Sequence, residues 1–145
     1  MRVSETMRDL TKLRTSIDRL DYWILLVWVE AATVLGGALL EALLLDTLSD
    51  KAQTALSKKS APKREKKVVE DLNEWGLHSC IEVAEEMGLI TKSTCQLGLL
   101  AKDARNLIHP GRAIRLELEF NSATAHTVKA ALESVICDLQ KWYEA

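Results

Sequence analysis

Residues 22–45, Tyr-Trp-Ile-Leu-Leu-Val-Trp-Val-Glu-Ala-Ala-Thr-Val-Leu-Gly-Gly-Ala-Leu-Leu-Glu-Ala-Leu-Leu-Leu, decide the fold, because such a run is either a membrane span or the central helix of a folded domain. Two acids separate the alternatives. Glu30 breaks the run, Glu41 breaks it again eleven positions later, and an unpaired acid at bilayer depth costs several kcal/mol. The uninterrupted pieces fall well short of the roughly 20 apolar residues that a span needs. The expectation is therefore a core helix outside any membrane, with Tyr22–Leu48 as the central buried element of the fold. Glu30 and Glu41 stand three helical turns apart and share a face with Gly37, where a neighbouring helix can approach closely. The Gly36-Gly37 pair lacks the strand and turn context of a nucleotide loop and reads as a packing feature.

Working outward, residues 1–21 place Met7, Leu10, Leu13, Ile17 and Leu20 at helical spacing among charges. They lack the continuous apolar core of a signal peptide and read as an amphipathic N-terminal helix. On the other side, residues 57–67 carry Lys58, Lys59, Lys63, Arg64, Lys66 and Lys67 against one acid, with Pro62 among small residues. This is a solvated basic loop between helices and a candidate contact for a phosphate backbone. It has no aromatic side chain for stacking on bases. Val68–Trp75 and Leu77–Met87 read as two short helical pieces parted at Gly76, and His78 as a surface or cap residue. From Thr91 to Ile108, Leu97, Leu100, Ala101, Ala104 and Ile108 mark one apolar face, and Pro110-Gly111 end the helix. Ile114, Leu116, Leu118 and Phe120 then alternate with charges. With no second strand to pair with, they form a short extended arm. The last helix starts at Asn121 or Ser122 and runs to about Tyr143. Its seam of Ala125, Val128, Leu132, Val135, Leu139 and Trp142 has bundle spacing.

These pieces add up to one all-α domain over residues 1–145, an up-and-down bundle of four to five helices. A chain of this length buries roughly two-thirds of its unfolded surface in one core without staples. The net charge of −2 argues against coating nucleic acid by bulk electrostatics, so any RNA contact is local. Cys80, Cys95 and Cys137 are widely spaced, with no Cys-x-x-Cys and no adjacent histidine pattern. They are expected to be buried thiols of a reducing, cytoplasmic compartment, with no metal site and no cofactor.

Chemistry concentrates at residues 105–112, Arg-Asn-Leu-Ile-His-Pro-Gly-Arg. A cation, an amide and an imidazole gather there at a helix end. At 100° per residue Arg105 lies about 80° from the centre of the apolar stripe, at its margin, where a guanidinium meets whatever packs on that stripe. Phosphate binding by Arg105 and proton transfer by His109 can then converge on one ligand. The plainer reading is a helix terminus, because bases in a last turn complement the dipole and Pro-Gly is an ordinary stop.

The Arg105, Asn106, His109 set resembles the signature of the HEPN superfamily of compact helical domains, in which an Arg, usually followed by a polar residue, precedes a His. Ala31–Asp46 looks like the early core helix of such domains, with Glu41 as its acidic residue, and Ile81–Ile90 also fits. The likeness covers most of the chain from about residue 22. It departs in one respect: three residues separate Arg105 from His109, where active members commonly have four to six. On a continuous helix one residue fewer turns the imidazole by about 100°, although a position before proline is biased out of the helix and can re-aim its ring.

The resemblance implies a metal-independent RNA endonuclease working as a homodimer with a composite Arg/His cleft. Arg105 would hold the scissile phosphate, Asn106 would support it and His109 would move the proton. Glu41 and Arg112 are the candidate supporting residues. Family roles include toxins of toxin-antitoxin pairs and antiphage defence, with an antitoxin or nucleotidyltransferase as partner. The alternative is a non-catalytic dimeric binding or scaffold module, which the shortened spacing and acidic charge favour. The intact residue set and the basic loop favour the nuclease.

Overall fold

A computed structural model describes residues 28–108 and 122–145. His109, Arg112, the N-terminal amphipathic segment and the arm after residue 110 lie outside the described residues. Five helices account for most of the rest: α1 (Trp28–Ser49), α2 (Ala52–Leu56), α3 (Leu77–Glu86), α4 (Lys92–Arg105) and α5 (Ser122–Glu144). The class is all-α, with one minimal hairpin pairing β1 (Lys63–Arg64) and β2 (Lys67–Val68).

Individual contacts give the helix directions. Arg105 at the end of α4 meets Gly37 and Glu41 of α1, while Thr91 at its start meets Asp138 near the end of α5. Gly36 abuts Val128, and Lys51 just beyond α1 lies 4.6 Å from the ring centre of Trp142. Gly98 of α4 abuts Ile81 of α3. Helices α1, α3 and α5 therefore run one way and α4 runs the other. The expected up-and-down order holds from α3 to α5 and fails between α1 and α3, which are parallel. Residues 50–76 return the chain from one end of the bundle to the other.

That return segment is more structured than a solvated loop. The Glu86 carboxylate accepts the backbone N–H groups of Lys59 and Ser60, both at 2.9 Å, which holds Glu86 below its usual carboxyl range. Glu65 and Lys66 both adopt positive φ (50° and 68°), the primed-turn geometry that suits a two-residue hairpin loop. The expected helix over Val68–Trp75 shrinks to a single 3-10 turn at Leu72–Glu74, capped by the Asp71 side chain on the Asn73 N–H. Trp75 is buried and donates its indole N–H to the Val69 carbonyl, so tertiary packing replaces local helix. Helix α3 ends in a Schellman motif: Leu89 N–H bonds to Ala84 O and Gly88 N–H to Glu85 O, with Gly88 at φ 72° and Leu89 buried behind it.

The stripe Thr33, Gly37, Leu40, Leu44 and Leu48 buries α1, and its three leucines are fully enclosed. Each buried leucine contributes about 1.5–3 kcal/mol. Thr33 satisfies its hydroxyl on the Val29 carbonyl at 2.8 Å. The opposite face carries Trp28, Leu35 and Leu39, 69%, 64% and 60% exposed. The expected all-round burial of this helix is thus corrected to burial of one face. By length and composition, with mean hydropathy 1.6, the helix is apolar enough to cross a membrane, and 22% of its most apolar window is buried in the fold.

The buried face of α4 keeps the expected Ala101 and Ala104 and departs from expectation at Leu100. It comprises Thr94, Gly98, Ala101 and Ala104, while Leu100 is 59% exposed. Small side chains are favoured because three helices crowd α4 and leave little radius for leucine. Of the expected α5 seam, Val128, Val135 and Leu139 are buried and Ala125, Leu132 and Trp142 half-buried, while Ala131, outside that seam, is buried as well. The seam is filled within the chain, so it does not supply a surface for a second copy. Of the cysteines, Cys80 alone is buried; Cys95 is half-buried and Cys137 exposed.

Asp138 ties α5 to α4. Its carboxylate accepts the Thr91 N–H at 2.9 Å and the Thr91 hydroxyl at 3.0 Å. Burial opposes its charge, yet these bonds, a bond from Thr94 and the charge of Lys141 hold the carboxyl below its ordinary value. A depressed carboxyl stabilises the fold above the ordinary Asp value of about 3.9 and loses that contribution as pH falls through the folded value. Asp138→Ala should cost about 1–2 kcal/mol at pH 7 in urea unfolding. The gap from wild type should close below about pH 4; a gap that persists there would assign the loss to packing.

Candidate functional site

Helix α4 is capped by Thr91, whose side chain accepts the Thr94 N–H, and runs from Lys92 to Arg105. Asn106 then opens a 3-10 turn through residue 108. Lys102 and Arg105 fall in the last α-helical turn, where they offset the carbonyl end of the helix dipole. Arg105 does more than that. Its aliphatic stem lies across Gly37, where a Cβ would come within 2.7–2.9 Å of the Arg105 Cδ, Cβ and Cγ. Its Nη1 donates to Glu41 Oε2 at 2.6 Å, with the two side chains 29% and 26% exposed. The absence of a side chain at 37 lets the stem cross, and the carboxylate one turn on receives the guanidinium. A half-buried, charge-assisted pair of this kind is stronger than an exposed one.

The paired side chains border a cleft of about 410 Å³. Glu41 forms one wall and Lys102, Arg105 and Asn106 another, while Gly76, Leu77 and His78 at the start of α3 complete the lining. Lys102 pairs with its neighbour Asp103 at 3.0 Å, and His78 Nε2 lies 3.4 Å from Glu82 on an exposed face. Deeper in the fold, burial and then the nearby charge of Glu41 push the Cys80 thiol up to about 12. It stays protonated and is no nucleophile.

Three of the expected site residues, Glu41, Arg105 and Asn106, thus come together. None of the six basic residues of the 57–67 segment lines the cleft. Arg64 is instead engaged by Glu74 at 2.7 Å. Two residues that the sequence reading did not assign to the site, His78 and Lys102, do line it. His78 had a usable signal in its place two residues after a glycine at a helix start, but only the α3–α4 packing joins it to Arg105. Among the described residues no group of three His, Cys, Asp or Glu side chains is arranged to hold a metal ion. No protein-family model, curated protein or solved structure matches the chain.

Proposed function

We propose that this protein is a HEPN-like, metal-independent RNA endonuclease acting as a two-fold dimer, in which Arg105 holds the scissile phosphate. The observation that carries the reading is the Arg105–Glu41 pair at the mouth of the cleft. A guanidinium has five N–H donors, and one contact to Glu41 leaves others to face a phosphate in a fixed orientation. Asn106 adds an amide beside it. In the proposed reaction His109 takes the proton of the ribose 2′-hydroxyl, the 2′-oxygen attacks phosphorus and the bond to the 5′-oxygen breaks. That oxygen leaves with a proton from the facing motif, giving a 2′,3′-cyclic phosphate and a 5′-hydroxyl. The same reading makes the protein cytoplasmic, a toxin or antiphage component restrained by an antitoxin or nucleotidyltransferase partner.

The test is incubation of purified protein with RNA in EDTA. Cleavage with cyclic phosphate ends is expected, and DNA of the same sequence should stay intact because it lacks the 2′-hydroxyl. A reaction abolished by EDTA, or equal cutting of DNA, overturns the proposal. One observation favours a second reading as a dimeric binding or scaffold module: Trp28, Leu35 and Leu39, with Ala32 and Ala42, form an exposed apolar seam on α1 at bundle spacing. RNA left intact by a protein that light scattering shows to be a stable dimer would favour that module.

A further inference from the structure

We propose that the cleft between the end of α4 and the start of α3 is a phosphate-binding site complete within one chain, with Lys102 and Arg105 as its cations and His78 as a hydrogen-bond donor. Its donors carry the inference. The Lys102 and Arg105 side chains line the cleft with one carboxylate, Glu41, while Asp103 and Glu82 lie outside the lining. The Lys102–Asp103 pair is about as enclosed as Arg105–Glu41, but the Lys102 ammonium has three donors and Asp103 takes one of them from outside the cleft, which leaves others for an oxyanion. Arg105 is held in place by Glu41 and needs no rearrangement to offer its remaining donors.

The opposite wall supports this. Gly76 is the N-cap of α3 and no side chain caps this ten-residue helix by hydrogen bonding, which leaves its first N–H groups without a side-chain acceptor at the cap, beside the cations. Nothing in the packing requires a glycine there: its φ is −80°, and a Cβ would meet no atom within 4 Å. A cleft of about 410 Å³ falls within the range of small-ligand sites. That volume has room for a phosphate with an attached nucleoside. The ligand is thus a phosphate group, carried either by a nucleotide or by the backbone of single-stranded RNA.

The inference rests on the reading of Arg105 as a phosphate-holding cation and does not require cleavage. The deciding variant is Gly76→Asp, whose carboxylate would cap α3 and occupy the anion position while leaving the fold as stable or slightly more so. Backbone amide shifts of Leu77, His78, Lys102 and Asn106 would be followed during titration with inorganic phosphate, a 5′-mononucleotide and a short RNA without terminal phosphates. Saturable shifts are expected in wild type, with at least about tenfold weaker binding in Gly76→Asp and Lys102→Ala at unchanged or higher Tm. Saturation by the RNA identifies a backbone phosphodiester; saturation by the mononucleotide and phosphate alone identifies a monoester. Absence of saturable shifts in wild type, or wild-type binding by Gly76→Asp, overturns the site. Phosphate binding by a protein that cuts no RNA leaves this site standing and removes the nuclease. RNA cleavage at the wild-type rate by Gly76→Asp, with wild type showing no saturable phosphate shifts, removes the site and leaves the nuclease.

Discussion

Arg105→Ala and His109→Ala should each lower RNA cleavage at least about a hundredfold, the scale on which a positioned acid-base group or phosphate-holding cation acts. The structure separates the two variants. Arg105→Ala strips Glu41 of its 2.6 Å partner and uncovers Gly37, so it should also lower stability, by on the order of 1–2 kcal/mol. Arg105→Lys keeps the charge but loses the planar fork, and should retain the fold with most of the activity gone. A rate followed at several temperatures below each variant's Tm distinguishes lost chemistry from lost protein. Wild type and His109→Ala sharing the same trace activity would mean that the three-residue spacing leaves the imidazole misdirected, and the binding-module reading would replace the nuclease.

Gly37→Leu should be the most destabilising single change at the α1–α4 contact, by about 1–3 kcal/mol through overpacking. Even a methyl group at this position would lie 2.7–2.9 Å from three carbons of the Arg105 stem, and one of them is the Cβ, which cannot move without the α4 backbone. Gly36→Ala meets only the Cγ1 of Val128 closely, at 2.6 Å, so a rotamer change relieves it and its cost should be smaller. Thermal unfolding gives both values. A Gly37→Leu protein that melts at or above the wild-type temperature would mean that α1 and α4 do not cross there. The same variant should lose RNA cleavage, because the displaced guanidinium no longer reaches Glu41.

The sequence revealed most where periodicity is regular and least where neighbours choose the conformation. The α5 seam and the α3 segment were legible, because apolar positions at steps of three and four have few alternative uses. The helix misread at Val68–Trp75 failed for a nearby reason: Trp75 gains more from burial and its bond to Val69 O than the segment gains from helical hydrogen bonds. Leu100 lies off the buried face because periodicity marks apolar side chains, whereas the crowded side of α4 selects small ones. The parallel course of α1 and α3 was hidden because a connection carries no signal of direction unless it is short.

By itself the sequence determined an all-α class, the placement of Arg105 at the margin of an apolar stripe, and Gly37 and Glu41 on one face of α1. Each follows from helical geometry within a single segment. The tertiary structure alone decided that Arg105 crosses Gly37 to reach Glu41, that His78 and Lys102 share their cleft, and that the basic segment turns to Glu74 and Glu86 instead. These partners lie far apart along the chain, and their meeting depends on packing three parallel helices around α4, which no local pattern encodes.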